Sequence, residues 1–364
     1  MDLSLTAEQI LLQDNVARFA TEHGRADNRS LARDMTLDRR MWRDIAELGW
    51  LGAGLPEDKG GFGGTAVETM IILEGAGKGL LQAPLLSAMV MAPQILVDAG
   101  CSAEALAPFV AGEEIYVAEL SEKPAAGVAL DASGDGLILS GRIDYMPYGD
   151  TVDGYVMAVL ERPSGDMALV KVTADDSAIK RKAYRTLDGQ PGATVTFDQL
   201  RLAPEAVIAR GDVARQALRS AADHALAALC AEAVGIAQGL FDRTLAYLKQ
   251  REQFGQTIGR FQALQHRMAD MMVALEEARS LAVMATVALL DPQGDARTRR
   301  LSAARSGVLS RTLHIGREAI QLHGGIGMTE EMPIGEGFRR LKSLDLLFGG
   351  ADAHLDRVAA RYSA

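Results

Sequence analysis

YLKQREQFGQTIGRFQALQHRMADM, residues 247–271, decides how this chain is read. Before it, Val234, Ala237, Leu240, Phe241, Leu245 and Leu248 fall on one helical stripe. After the break, Phe261, Leu264, Met268 and Met271/Met272 form another. Between them the loop from Phe254-Gly255 to Gly259 interrupts the helix, with Arg251 where the first helix ends. The period continues through Leu281, Ala285 and Leu289, turns at Asp291-Pro292-Gln293-Gly294, and resumes over 299–322. Four such segments predict a helical bundle over residues 204–364.

Upstream the pattern changes. Ile115–Leu120, Leu137–Leu139, Tyr155–Leu160, Met167–Val172 and Ala193–Phe197 are short and extended in character. Turn signals such as Asp135-Gly136 and Asp188-Gly189 separate them, which predicts a small β domain over 115–203. Residues 1–114 read as a helical domain. Thr6 and Gln9 have the spacing of a capping box, followed by Leu11, Leu12, Val16 and Phe19. Trp42, Ile45 and Leu48 form a stripe ended by Gly49. PEDKGGFGG (56–64) is a loop; Met70, Ile71, Leu73 and Ala76 make a third helix, and 86–99 a fourth. The expected class is mainly α with a β domain inserted between two helical ones. Strands and helices do not alternate throughout, as a doubly wound protein requires.

Composition bounds the function. Lys and Arg total 38 against 48 Asp and Glu in 364 residues, a net charge of −10 that argues against a nucleic-acid binder. Cys101 and Cys230 cannot build a disulfide framework or a Cys-rich zinc site. Apolar runs such as 68–73 and 224–231 fall short of the roughly 20 residues that cross a membrane. No signal peptide is visible at the N-terminus, and the expectation is a cytoplasmic protein.

Three segments invite chemistry. Arg251 beside glycine-opened backbone suits a phosphate or pyrophosphate; the competing reading is a surface ion pair at a helix end. In QLHGGIGMTEE (321–331), Gly324, Gly325 and Gly327 let a ligand approach the backbone, with Gln321 and His323 as hydrogen-bonding groups; a bare glycine cap is the alternative. In LFGGADAHLD (347–356), His354 and Asp356 read as solvated. His23, His224, His266 and His314 are scattered, and no metal motif or nucleophile elbow occurs.

Taken together and in order, LTAEQ, LGWLGAGLPEDKGGFGG (48–64), the middle strands, 247–271 and AIQLHGGIGMTEE (319–331) resemble the acyl-CoA dehydrogenase family over essentially the whole chain. Within it, ALCAEAVG (228–235) and the ending LFGGADAHL resemble the small subunit of pimeloyl-CoA dehydrogenase. The resemblance implies a helical N-domain, a middle β-barrel or sandwich, and a C-terminal four-helix bundle. It implies FAD, an acyl-CoA substrate drawn from fatty acid or steroid catabolism, and electron-transfer flavoprotein as acceptor. It also implies a homo-oligomer, or a heterotetramer with a larger subunit. Arg251 and Gln253 should meet the FAD diphosphate, and Phe261 and Gln262 the adenosine half. Gln321, His323, Gly324 and Gly325 should contact FAD supplied largely by a neighbouring subunit. Asp223 matches an aspartate that contacts substrate.

The same resemblance exposes departures. The usual catalytic glutamate position holds Phe348 or Gly349, and a second location for the base falls at Ala225. The FAD motif of the middle domain reads SEKPAAG (121–127), and the flavin-flanking Trp-x-Thr reads Tyr145-Met146-Pro147. Glu232 and Asp352 are the substitute acids; Glu232 lies about 10 Å along the helix from Ala225, and the competing reading, the stronger on residue type alone, is a paired interior glutamate. Three expectations follow: a subunit whose partner supplies the base, a self-sufficient flavoenzyme with a non-standard carboxylate, or a non-catalytic subunit that supports an active one.

Overall fold

The computed structural model describes residues 4–24, 36–133, 136–329 and 332–360. Asp135 of the first turn signal and Glu330-Glu331 of the GGIGMTEE segment lie outside them. The chain forms two compact units. The first takes its described residues from 1–33, 66–82 and 226–364, the second from 34–65 and 83–225.

In the first unit, α1 (Ala7–His23) opens with the expected capping box. The Gln9 N–H donates to Thr6 Oγ1 at 3.2 Å, and the Thr6 N–H to Gln9 Oε1 at 3.0 Å. The helix packs against α3 (Ala66–Gly79). The long helix α6 (Gly211–Gln250) enters this unit from residue 226. There α3 and α6 approach backbone to backbone. A Cβ on Gly77 would stand 2.3 Å from the Glu232 carbonyl oxygen, and one on Gly235 1.8 Å from that of Glu74. Only glycine permits such an approach. The bundle is completed by α7 (Gln262–Ala288), α8 (Asp295–His323), α9 (Ile334–Leu346) and α10 (Gly350–Ala359). By length and composition α6 is apolar enough to cross a membrane, contrary to the short runs read from sequence, but 83 % of its most apolar window is buried inside the protein.

The second unit holds α2 (Arg39–Glu47), capped by Asp38, a π-helical turn over Leu85–Met91, α4 (Ala92–Asp98) and α5 (Ala103–Val110). Its sheet comprises β1 (Tyr116–Ala118), β2 (Val128–Ser133), β3 (Gly136–Pro147), β4 (Gly154–Arg162), β5 (Met167–Thr173), β6 (Ile179–Arg185), β7 (Pro191–Leu202) and β8 (Val207–Arg210). The order is β6-β7-β3-β2-β4-β5-β8, with β1 beside β4; β1 and β2 run parallel to β4 and the other pairs are antiparallel. The five expected strands are present, the first trimmed to Tyr116–Ala118 and the others extended at one end or both. Three are additional: β2, β6, whose IKRKAYR sequence is mostly exposed, and the four-residue β8.

Candidate functional site

The loop after α6 is a miniature hairpin: β9 (Glu252–Gln253) pairs with β10 (Gln256–Thr257). Its two-residue tip, Phe254-Gly255, has φ of 54° and 76°. Glycine suits that geometry and a bulky residue does not. Phe254 nonetheless sits there 90 % exposed, edge-on to Phe261 with ring centroids 6.0 Å apart. A bulky residue at positive φ is a backbone outlier, the kind that clusters at functional sites. Sequence reading passed over Phe254; its place at the centre of a Gln-Phe-Gly-Gln hairpin was the available signal.

Arg251 and Gln253 are exposed on this hairpin, as is Gln262 at the start of α7, while Phe261 is half-buried. Among the described residues Arg251 makes no ion pair, so the surface-pair reading finds no support and its guanidinium stays available to an anion.

The second motif meets the first through aromatic stacking. Tyr247 of α6 lies 4.5 Å, centroid to centroid, from His323 at the end of α8. His323 is 3 % exposed. Its Nδ1 lies 2.8 Å from the Ala319 carbonyl oxygen, which can only accept, so Nδ1 carries the proton. Nε2 is then a lone-pair acceptor, buried and without a hydrogen-bond partner among the described residues. Burial also lowers the imidazole pKa and keeps the ring neutral. His323 is thus fitted to receive a ligand hydroxyl or amine rather than a phosphate. Beyond it, Gly324 adopts φ 63° and ψ −140°, and neither Gly324 nor Gly325 has any atom within 4 Å of a would-be Cβ. Gln321 is exposed on the same helix end. A free guanidinium, open glycine backbone and an unsatisfied acceptor therefore share one edge of the first unit, and that edge fits a diphosphate-bearing cofactor.

The acids expected to act as base stand differently. Glu232 is 7 % exposed and accepts a 2.6 Å hydrogen bond from Arg340 Nε. It is the paired interior glutamate of the alternative reading. Asp352 is exposed in the first turn of α10. Phe348, at the usual base position, is 5 % exposed with φ 57°. His354, expected to be solvated, is fully buried: Nε2 donates to the Phe348 carbonyl at 3.0 Å and Nδ1 meets Ser302 Oγ at 3.1 Å. The fully buried Arg305 donates to the carbonyls of Asp345 (2.6 Å) and Leu347 (3.2 Å). His354 and Arg305 thus tie this turn to α8 through the carbonyls of Asp345, Leu347 and Phe348.

In the second unit, Asp223 is 4 % exposed and Ala225 fully buried, both on α6. The SEKPAAG segment forms its own turn. Ser121 Oγ accepts from the Lys123 N–H and donates to the Lys123 carbonyl, each at 3.1 Å. Met146 is fully buried, and Pro147 offers neither hydroxyl nor N–H. These residues do not fit a flavin as Thr-Glu-Pro and Trp-x-Thr would. Glu119, just before them, is a half-buried carboxyl pushed up to about 7 by desolvation alone. Its backbone is pinned: Ser87 Oγ bonds both the N–H and the carbonyl of Ala118, and the Ser121 N–H donates to the Glu119 carbonyl.

Comparison with known proteins adds the following. Two family profiles match, "Acyl-CoA dehydrogenase, C-terminal domain" over residues 214–363 and "Acyl-CoA dehydrogenase, N-terminal domain" over 6–105. Acyl-CoA dehydrogenase IpdE2 of Mycobacterium tuberculosis is 30 % identical, covering 92 % of this chain and 90 % of its own. Acryloyl-CoA reductase (NADH) of Anaerotignum propionicum is 26 % identical over 97 % of this chain and 94 % of its own. Among solved structures, a variant of the Tcur3481-Tcur3483 steroid ACAD superposes with a TM-score of 0.86 at 28 % identity, covering 98 % of each chain.

Proposed function

The chain belongs to the acyl-CoA dehydrogenase family, and from that premise we propose that it is an FAD-dependent subunit of an enzyme that introduces an α,β double bond into an acyl-CoA, with the catalytic carboxylate supplied by a second, larger subunit. One observation carries the reading: the edge formed by Arg251, His323, Gly324 and Gly325 is open and unsatisfied, while the buried substitute acid, Glu232, is already bound to Arg340. Bound FAD would accept the β-hydrogen of the acyl group as hydride while a carboxylate removes the α-proton.

This chain's residues then have defined tasks. Arg251 neutralises the diphosphate, with Gln253 beside it. Phe261 and Gln262 pack on the adenosine half. Gln321 hydrogen-bonds, His323 Nε2 accepts from a hydroxyl or amine, and Gly324-Gly325 admits the ligand against bare backbone. The flavin end belongs on the partner, because SEKPAAG and Tyr145-Met146-Pro147 have lost the groups to hold it. The two-component steroid relative supports a heteromeric assembly and a bulky acyl-CoA.

The test is purification of the chain alone and after co-expression with larger acyl-CoA dehydrogenase chains of the same organism. The expected result is flavin bound and reducible by acyl-CoA only in the complex. A yellow protein that acyl-CoA bleaches with no partner would overturn the composite site. A complex whose partner holds full flavin and full activity after Arg251→Ala would leave this chain a supporting role only.

A further inference from the structure

Tyr247 opens the 247–271 stretch but has no part in the roles given to its other residues. It lies in the last turn of α6, four residues before Arg251. The Arg251 N–H donates to the Tyr247 carbonyl at 2.8 Å, which carries the helical turn on to Arg251 and puts both side chains on one face. The Tyr247 ring is half-buried and lies over the imidazole of His323, with centroids 4.5 Å apart and planes 22° from parallel. His323 is the last residue of α8, so the stack ties the helix end that carries the hairpin to the helix end that carries the glycines.

The stack supplies what the rest of the His323 setting lacks. The bond of 2.8 Å from Nδ1 to the Ala319 carbonyl oxygen fixes the tautomer and one point of the ring. A Cβ on Gly327 would stand 2.9 Å from the His323 Cβ, so the returning chain holds the root of the side chain. Neither contact sets the plane of the ring. The torsion that turns an imidazole is broad, and the ring is free to rock about its Nδ1–H bond. The Nε2 lone pair lies in the ring plane, so rocking swings the direction in which it accepts, and a hydrogen bond weakens steeply as it is misaligned. A neighbouring ring packed nearly parallel leaves one plane.

We propose that Tyr247 is a positioning residue of the cofactor edge: its ring holds the plane of His323, so that Nε2 is aimed before the ligand arrives. This role rests on the function proposed above and gives Tyr247 no contact of its own with the cofactor. A side chain ordered in advance spares the ligand the cost of ordering it. One turn of α6 then sets both polar groups of the edge, Arg251 at its own end and His323 through the ring.

The test compares two substitutions that fill the space without a flat face, Tyr247→Met and Tyr247→Leu, with Tyr247→Phe, which keeps the ring. Circular dichroism and melting identify which filler folds as wild type does. In the complex with the larger subunit, that filler should raise the FAD dissociation constant by about 10-fold, while Tyr247→Phe stays within about twofold of wild type. In a His323→Phe background there is no acceptor to aim, so the filler should add nothing further. Tyr247→Phe losing as much as the fillers would make the hydroxyl a direct ligand contact and overturn the positioning role. So would a filler that costs nothing, or one that costs as much with His323→Phe as without it. Carbon-13 relaxation of the His323 ring, read on the free chain without flavin, is the independent arm. The ring should be rigid in wild type and Tyr247→Phe and mobile in the filler variant. A complex that binds no flavin sinks the function proposed above; a His323 ring equally rigid in the filler variant sinks this role for Tyr247.

Discussion

Two regions of the bundle carry the sequence signals of one active site, yet they are built in opposite ways. At the edge proposed to hold the cofactor, among the described residues, Arg251 is exposed without an ion pair, His323 Nε2 is a buried acceptor with nothing to accept, and two glycines face open space. Around the base positions, Glu232 is taken by Arg340, the Phe348 carbonyl by His354, and two further carbonyls by Arg305. Unsatisfied polar groups mark where a fold expects company, and satisfied ones mark where it is finished. On the function proposed above, the first region is a half-site and the second is structural.

The comparison breaks most visibly at Glu232. If the pair is structural, Arg340→Ala should destabilise the chain by about 3 kcal/mol or more, because a buried carboxylate loses its partner. Replacing both residues with Glu232→Leu and Arg340→Met should restore most of that loss in urea unfolding. In the assembled enzyme, Glu232→Gln should leave α-proton exchange with solvent intact. Exchange abolished in a folded Glu232→Gln complex would return Glu232 to the role of base.

Next in size are changes at the open edge, where folding and ligand binding should separate. Arg251→Ala should weaken FAD retention in the complex by roughly 10- to 100-fold with no change in melting temperature. Gly325→Ala is the sharper variant. A Cβ there meets no atom of the chain, so melting should hold while FAD affinity falls. Equal FAD affinity in Gly325→Ala and wild type would mean that no ligand approaches that backbone.

A smaller effect probes Glu119. Its folded carboxyl is pushed up to about 7, above the unfolded value, so it favours folding while protonated and loses that contribution as pH rises through 7. Glu119→Gln should therefore stabilise the chain at pH 8 by about 1 kcal/mol, reduced from the full shift because the group is partly solvated, and change little at pH 4. A variant equally stable to wild type at pH 8 would show the carboxylate to be well hydrated.

Local chemistry made much of this legible in sequence. Thr6 and Gln9 cap α1 as their spacing says, Asp291-Pro292-Gln293-Gly294 separates α7 from α8, and the glycine segments end helices where expected. Strand β6 escaped because an edge strand rich in Lys and Arg shows no apolar alternation. The burial of His354 and the pairing of Glu232 with Arg340, 108 residues away, escaped for another reason. Both depend on which helices meet, and helical periodicity gives the face of each helix without naming its neighbour.

The finest test of the open edge uses His323. Its pKa is lowered by burial, so between the unfolded value near 6.5 and its own lower value the unfolded chain binds a proton that the folded chain refuses. Stability contributed by this residue is present above about pH 6.5 and falls as the solution is acidified. His323→Phe keeps a ring to stack on Tyr247 and removes both the titration and the Nε2 acceptor. Its melting temperature should fall less than that of wild type as the pH is lowered below about 6.5. If Nε2 receives a cofactor hydroxyl or amine, bound FAD should depress the wild-type imidazole pKa further, because protonation would end that bond, and His323→Phe should abolish this FAD-linked part of the pH dependence. A wild-type pH profile unchanged by FAD would mean that the lone pair faces a void, and the half-site would then rest on Arg251 and the glycines alone.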